Sequence, residues 1–395
     1  MSDARRRLRI EMVLPDLVGG GMEVMVANLT RSLAERGHEV GLTCLFGRGD
    51  LAEELAARGH RVSVVGAPGL RTNWHAPALV AHLASVRPDV AHVHSGVWPK
   101  GARAARQAGV PRVGHTAHGL LDRESWIEST LQWWAGRHTD WVAAVSAPLV
   151  DHLVRRLGVS AEKVRVLLNG IDTARFAPGP RSGILRERLG VGERPLVGIV
   201  ARLAVVKNHA LLLRAFARLR AELPDAALVL VGEGPMRAEI TQRVAELGLT
   251  DHVFLTGAIG DVAAVYRDLD LFVLSSTSEG TSMSILEAMA SGVPVVATDV
   301  GGNGELLDGG RCGRLVPSGD EAAMSAAMAR ALAGGAETRA LTAAARERAV
   351  TSFSHETMVD GYEVLYGARR GNAAAAATMS APTLARREEV RACAE

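Results

Sequence analysis

The chain has 395 residues, 48% hydrophobic and 22% charged, with a formal net charge of +2. That length and composition suit two domains with their own cores, and a charge so near neutrality gives no reason to expect nucleic acid as a partner. Cys44, Cys312 and Cys393 show no CxxC or metal-ligand spacing, which argues against a disulfide framework and for a reducing cytoplasm.

The basic start, with Arg5, Arg6, Arg7 and Arg9, runs into strand-like sequence rather than a signal-peptide core. It is compatible with peripheral contact at the inner face of the cell membrane, each arginine contributing about 1 kcal/mol at best. No apolar run approaches the roughly 18 to 20 residues that span a bilayer. In the first half, LRIEMVL, HEVGLTCLF, RVSVV, DVAHVH, RVGHT and DWVAAVS read as strands. Helical patterns lie between them, such as MEVMVANLTRSLAERG, where Val24, Ala27, Leu29 and Leu33 can share an apolar face. Such alternation predicts a parallel sheet with right-handed crossovers.

Gly19, Gly20 and Gly21 connect the first strand to the first helix. They form either a plain tight turn or a place where a phosphate or sugar approaches backbone with a helix N-terminus behind it. His92 and His94 fall on one face of a strand with no third ligand to complete a zinc site; they read as structural or as lining an acceptor site. His115 reads as structural, whereas His118 precedes Gly119, where backbone and ligand can meet. All six tryptophans, Trp74, Trp98, Trp126, Trp133, Trp134 and Trp141, lie in this half. Trp126, Ile127, Leu131, Trp133 and Trp134 suit core packing or an apolar patch for a lipid-linked or carbohydrate acceptor.

The segment VRVLLNGIDTARFAPGPRSG reads as a linker, and PLVGIV, AALVLVG, HVFLTG, LDLFVLSS and GVPVVAT as a second series of strands. Arg202 and Lys207 follow the first of these in a loop, where a bidentate guanidinium and a mobile ammonium can converge on one dianion. As loop cations they are expected to matter little for folding. Gly232, Glu233, Gly234 and Pro235 form a turn that can frame a base and ribose. Glu279 then sits in a turn, and Glu287 on the helix behind it. Two acids beside an anion-binding helix start would repel a bare phosphate, but they suit a ligand with hydroxyls as well as phosphates, as a nucleotide sugar has.

These segments, in this order, resemble the retaining glycosyltransferases of family 4, the group 1 enzymes that include sucrose-phosphate synthases and many bacterial polysaccharide and glycolipid enzymes. Glu279 and Glu287 in EGTSMSILEAMASGVPVVAT match that family's E-x7-E signature, and the resemblance runs from Leu8 to Tyr366. It implies an α/β GT-B fold, two Rossmann-like doubly wound domains facing a central cleft. Residues 1–175 would be the acceptor domain and 185–350 the donor domain. A helix at 353–369 would cross back to the first, and an Ala-rich tail, 371–395, would carry no chemistry.

The resemblance also implies roles. His118, Glu279, Arg202 and Lys207 would be catalytic. Gly20, Gly21, Arg202, Lys207, Glu233, Thr281, Ser282, Met283 and Glu287 would bind the donor. Glu287 would take ribose hydroxyls and Glu279 sugar hydroxyls. The reaction would move a hexosyl unit from a nucleoside diphosphate sugar, a UDP-sugar foremost, to a hydroxyl of a sugar, lipid-linked or small-molecule acceptor. Configuration would be retained, by same-face attack or through a covalent intermediate on Glu279. No metal or other cofactor is expected, since neither a DxD motif nor a His-carboxylate cluster is present. Two alternatives remain at this stage: a UDP-sugar 2-epimerase of the same architecture, and a non-catalytic nucleotide-sugar binding protein.

Overall fold

The computed structural model describes residues 6–18, 20–67, 69–119 and 125–368. Gly19 and the Ala-rich tail lie outside them. The chain divides into two compact units, one running to Gly170 and resuming at His355, the other Ile171–Ser354.

The first unit is built on seven parallel strands. They are β1 (Arg9–Leu14), β2 (Glu39–Cys44), β3 (Arg61–Val64), β4 (Val90–His94), β5 (Arg112–Ala117), β6 (Trp141–Ala144) and β7 (Val164–Val166). Their order is β3-β2-β1-β4-β5-β6-β7. Strand periodicity sorts the core: Ile10, Met12 and Leu14 pack on one face with Leu29, Leu33 and Trp141, while Val13 packs on the other with Val93, Val113 and Val142. The helix His355–Tyr366 covers the first of these faces. Its Glu363, fully buried, receives Arg36 at 2.9 Å and sits 3.1 Å from His38. Its Tyr366 hydroxyl lies 2.8 Å from His92 Nδ1.

The second unit holds β8 (Leu196–Val200), β9 (Ala227–Val231), β10 (Val253–Gly257), β11 (Leu271–Leu274), β12 (Val295–Thr298) and β13 (Arg314–Val316). All are parallel, in the order β10-β9-β8-β11-β12-β13. Each sheet therefore reverses its winding once, beside β1 and β4 in the first and beside β8 and β11 in the second. In such sheets ligands bind beyond the carboxyl ends of the strands at that switch point.

Two strands depart from the sequence reading. Val164–Val166, expected to begin a linker, is the outer strand β7, and β13 was not anticipated. Each has only three residues and pairs along one side only, too short for period-two patterning to register. From Ile171 on, the expected linker is packed onto the second unit: the Arg346 guanidinium donates to the carbonyls of Thr173, Phe176 and Ala290.

Candidate functional site

In the second unit the switch point places the loop after β8 beside the loop after β11. The first carries Arg202 and ends in the single turn Val205–Lys207. Asn208 stops that turn in a left-handed conformation (φ 46°) and caps the next helix, accepting from the amide of Leu211, so Lys207 is held at a sharp corner. The second loop is sewn to it. The amide of Thr277 donates to the carbonyl of Val206 at 2.8 Å, and the Ser275 hydroxyl to that of Lys207 at 2.8 Å.

This stitching brings Lys207 Nζ to 2.5 Å from Glu279 Oε1, with the Ser276 hydroxyl donating to the same oxygen. Both side chains are largely buried, 19% and 9% exposed. Lys207 is thus not the solvated loop cation expected from sequence. It neutralises a carboxylate in a recess, where removing either partner strands the other. Arg202 does match the expectation: it is exposed and has no ion-pair partner among the described residues.

Glu279 is braced from a third loop, the one after β12. The amide of Gly302 donates to the carbonyl of Gly280 at 3.1 Å, and Gly301 has φ 54°. A Cβ on Gly301 would collide with the carbonyl oxygen of Glu279, so only glycine lets the two backbones meet. The turn after β9 has the same character: Gly234 has φ 159°, and a Cβ there would strike the carbonyl of Leu203. Between Gly232 and Gly234, Glu233 is exposed and pairs with Arg237 at 3.1 Å, one helical turn on.

The helix Met283–Ala290 begins at Ser282, whose hydroxyl accepts from the amide of Ile285. Thr281, Ser282 and Met283 therefore stand at its amino end. Glu287 lies one turn further in, and its Oε2 accepts from the hydroxyl of fully buried Tyr266 at 2.8 Å. Burial pushes the Glu287 carboxyl up to about 7, against the opposing pull of the Tyr266 hydroxyl and the Arg175 charge. Tyr266, Ser276 and Gly301 were missed by sequence reasoning. Only Gly301 left a signal, as part of the glycine pair after GVPVVATDV.

In the first unit the matching positions are the ends of β1, β4 and β5. Gly20 caps the helix Gly21–Glu35 in extended backbone, and a Cβ there would press on the Glu23 carboxylate. The carboxylate covers the helix start, so this turn favours a ligand's hydroxyl over its phosphate. His118 follows β5, with its amide donating to the Ser95 hydroxyl at 3.0 Å and its Nε2 3.0 Å from His94 Nδ1. Burial drives the His118 imidazole down to about 3, leaving it neutral. His92 is buried between the Tyr366 and Thr116 hydroxyls, and His115 stacks on Trp98 at 4.0 Å with Nδ1 on the carbonyl of Val93.

A cavity of about 700 Å³ opens beside His118 and Gly119, walled by Trp98, Leu131, Leu149 and Leu153 with Gln132 and Lys100. Leu131 and Gln132 belong to the helix Trp126–Arg137, which starts in a capping box between Ser125 and Glu128. The same helix leaves Trp126, Ile127 and Trp133 exposed at 78%, 44% and 43%, with the Arg137 guanidinium 4.7 Å over the Trp133 ring. Trp98 and Trp141 are core residues. Among the described residues no helix is long and apolar enough to cross a membrane.

Comparison with known proteins accounts for both halves. Residues 19–175 match the sequence model for "Glycosyltransferase Family 4" and residues 183–348 that for "Glycosyl transferases group 1". A D-inositol 3-phosphate glycosyltransferase of Rhodococcus opacus is 34% identical over 333 residues, 75% of this chain and 74% of that protein. A GDP-mannose-dependent phosphatidylinositol monomannoside mannosyltransferase of Mycolicibacterium smegmatis is 33% identical over 58% of this chain, a stretch spanning 63% of that protein's length. Among solved structures, the Anabaena protein HepE in complex with UDP and glucose superimposes with a TM-score of 0.81 at 22% identity, covering 91% of this chain and 99% of that one.

Proposed function

The chain belongs to the group 1 glycosyltransferases of family 4, with the GT-B fold, and we propose that it moves a hexosyl unit from a nucleoside diphosphate sugar to an acceptor hydroxyl with retention of configuration. The observation that carries this reading is the Lys207–Glu279 contact at the switch point of the second unit. It sets a cation for the departing diphosphate next to a carboxylate for the hydroxyls of the sugar being transferred.

In this reading Glu287 accepts from the ribose, and the amides at Thr281, Ser282 and Met283 meet the diphosphate or the sugar. Arg202 swings in from solvent to join Lys207. As the glycosidic bond lengthens, charge grows on the leaving phosphate, and the two cations stabilise that charge more in the transition state than in the ground state. They take the charge-neutralising role at the diphosphate, so the reaction is assigned no metal. Glu279 holds the ring while the acceptor hydroxyl attacks the face that the diphosphate leaves. The leaving phosphate takes the hydroxyl proton. His118 serves the hexose or the acceptor.

UDP is the favoured carrier, in keeping with the UDP complexes of the Anabaena protein, while the mycolicibacterial relative's dependence on GDP-mannose makes GDP-sugars the second set to try. The 2-epimerase and the non-catalytic readings are not favoured, since the relatives are transferases. The test is a thermal-shift screen of UDP- and GDP-sugars, followed by release of free nucleoside diphosphate with lipid-linked and soluble acceptors. Stabilisation by a nucleotide sugar with acceptor-dependent release is expected. Epimer formation without release would overturn the transferase reading.

The exposed Trp126, Ile127 and Trp133, close to arginine and on the helix that walls the cavity by His118, support an acceptor presented at an anionic membrane surface. Aromatic side chains with an apolar body and a polar edge favour that interface. Flotation with phosphatidylglycerol vesicles should recover the protein at low salt, and Trp126→Ser with Trp133→Ser should release it. Equal recovery of wild type and the double variant would remove this patch from the acceptor reading.

A further inference from the structure

His94 lies at the carboxyl end of β4 and is fully buried. Its Nδ1 is 3.0 Å from His118 Nε2, and its own Nε2 is buried without a hydrogen-bond partner among the described residues. The ring is packed in place, with its centroid 4.1 Å from that of His92. His92 is itself fixed by the Tyr366 and Thr116 hydroxyls. The position of His94 is therefore set by the sheet and the helix His355–Tyr366, not by a ligand.

One proton lies between the two imidazoles, and burial holds both rings neutral, His94 well below the usual histidine range and His118 at about 3. Two arrangements are open. If His118 Nε2–H donates, the proton of His94 must sit on Nε2, where it has no acceptor among the described residues. If His94 Nδ1–H donates, the unpartnered atom is a bare lone pair. Buried donors are orphaned more rarely than buried acceptors, so the second arrangement prevails. It leaves the His118 proton on Nδ1, because Nε2 is occupied as an acceptor.

We propose that His94 is the positioning residue of His118: its Nδ1–H donates to Nε2 of His118, fixing that ring as an Nδ1–H tautomer that offers a neutral donor to an oxygen of the sugar or acceptor. His118 then acts neither as a cation nor as a general base. The inference rests on His118 contacting the ligand, as proposed above. The tautomer assignment and the ligand role can nevertheless fail separately.

The first arm uses the full wild-type chain with ¹⁵N-labelled histidine and long-range ¹H–¹⁵N correlation of the rings. Resonances are assigned by their loss in His94→Asn and His118→Gln. A protonated Nδ1 and bare Nε2 on both residues is expected; a proton on Nε2 of His118 overturns the proposal. The second arm is kinetic. His94→Phe removes the donor and should lower kcat roughly 10- to 100-fold with the donor KM within about twofold, whereas His94→Asn, whose amide N–H can stand near Nδ1, should stay within about threefold of wild type. Equal losses in the two variants, or a loss confined to KM, would reject positioning by His94. Wild-type turnover in His118→Phe would instead reject the ligand role of His118 and leave the tautomer result standing.

Discussion

Arg202→Ala should lower kcat/KM roughly 30- to 900-fold, equivalent to about 2 to 4 kcal/mol of transition-state stabilisation, the usual cost of removing one donor from an oxyanion-binding site. The melting temperature should not move, because the side chain is exposed and unpaired among the described residues. Lys207→Ala should lose as much activity and also about 1 to 3 kcal/mol of stability, since among the described residues Glu279 keeps only the Ser276 hydroxyl in a buried setting. Adding Glu279→Gln to Lys207→Ala should restore most of that stability and none of the activity. A double-mutant cycle run by calorimetry and by nucleotide release separates the two effects. Wild-type turnover in folded Arg202→Ala would mean that the diphosphate is gripped elsewhere.

The second large effect divides the two glutamates. Glu287→Gln should mainly weaken donor binding, because the ionised carboxylate is the better acceptor for ribose hydroxyls. Glu279→Gln should bind free nucleoside diphosphate almost normally yet transfer poorly, because its proposed partner is the sugar. The direction of the pH dependence follows from burial. With the Glu287 carboxyl at about 7 in the free protein, roughly one molecule in ten is ionised at pH 6, so affinity should rise about tenfold between pH 6 and pH 8. The probe should be an intact nucleotide sugar, since a terminal phosphate titrates near pH 6 itself. Glu287→Gln should flatten the profile. Titration calorimetry showing equal affinity loss in both variants, or a profile unchanged by Glu287→Gln, would reject the division.

The switch points and the residues at them were legible because local chemistry announces them. A strand of Val, Ile and Leu that ends in a loop of charged or small residues before an amphipathic helix can be read without any contact map. PLVGIV before Arg202 and LFVLSS before Glu279 are such cases. What stayed hidden depends on partners remote in sequence. Tyr266 is 21 residues from Glu287 and 18 from Ser284, whose carbonyl its hydroxyl also reaches at 3.1 Å; in the sequence it is one more apolar residue of a helix. The Lys207–Glu279 contact joins positions 72 apart, and its burial reversed the expectation that Lys207 could be removed without cost to folding. His94 was visible as one of a pair on a strand face, but its bond to His118 exists only because β4 and β5 are neighbours in register, His94 opposite Thr116.

The collision that any side chain at position 301 would make with the Glu279 carbonyl bears on how such a protein can be re-engineered. The acidic turn is not a portable cassette. Its shape is held by a backbone contact with Gly301, by the Gly302 amide on the Gly280 carbonyl, and by the Thr298 hydroxyl on the Ser276 carbonyl at 2.7 Å. Transplanting residues 275–282 into a relative to change its choice of sugar would move the words without the grammar, since the constraints on their conformation are written at 298–302. A chimera has to exchange both stretches together, because the conformation of one loop is fixed by the backbone of the other.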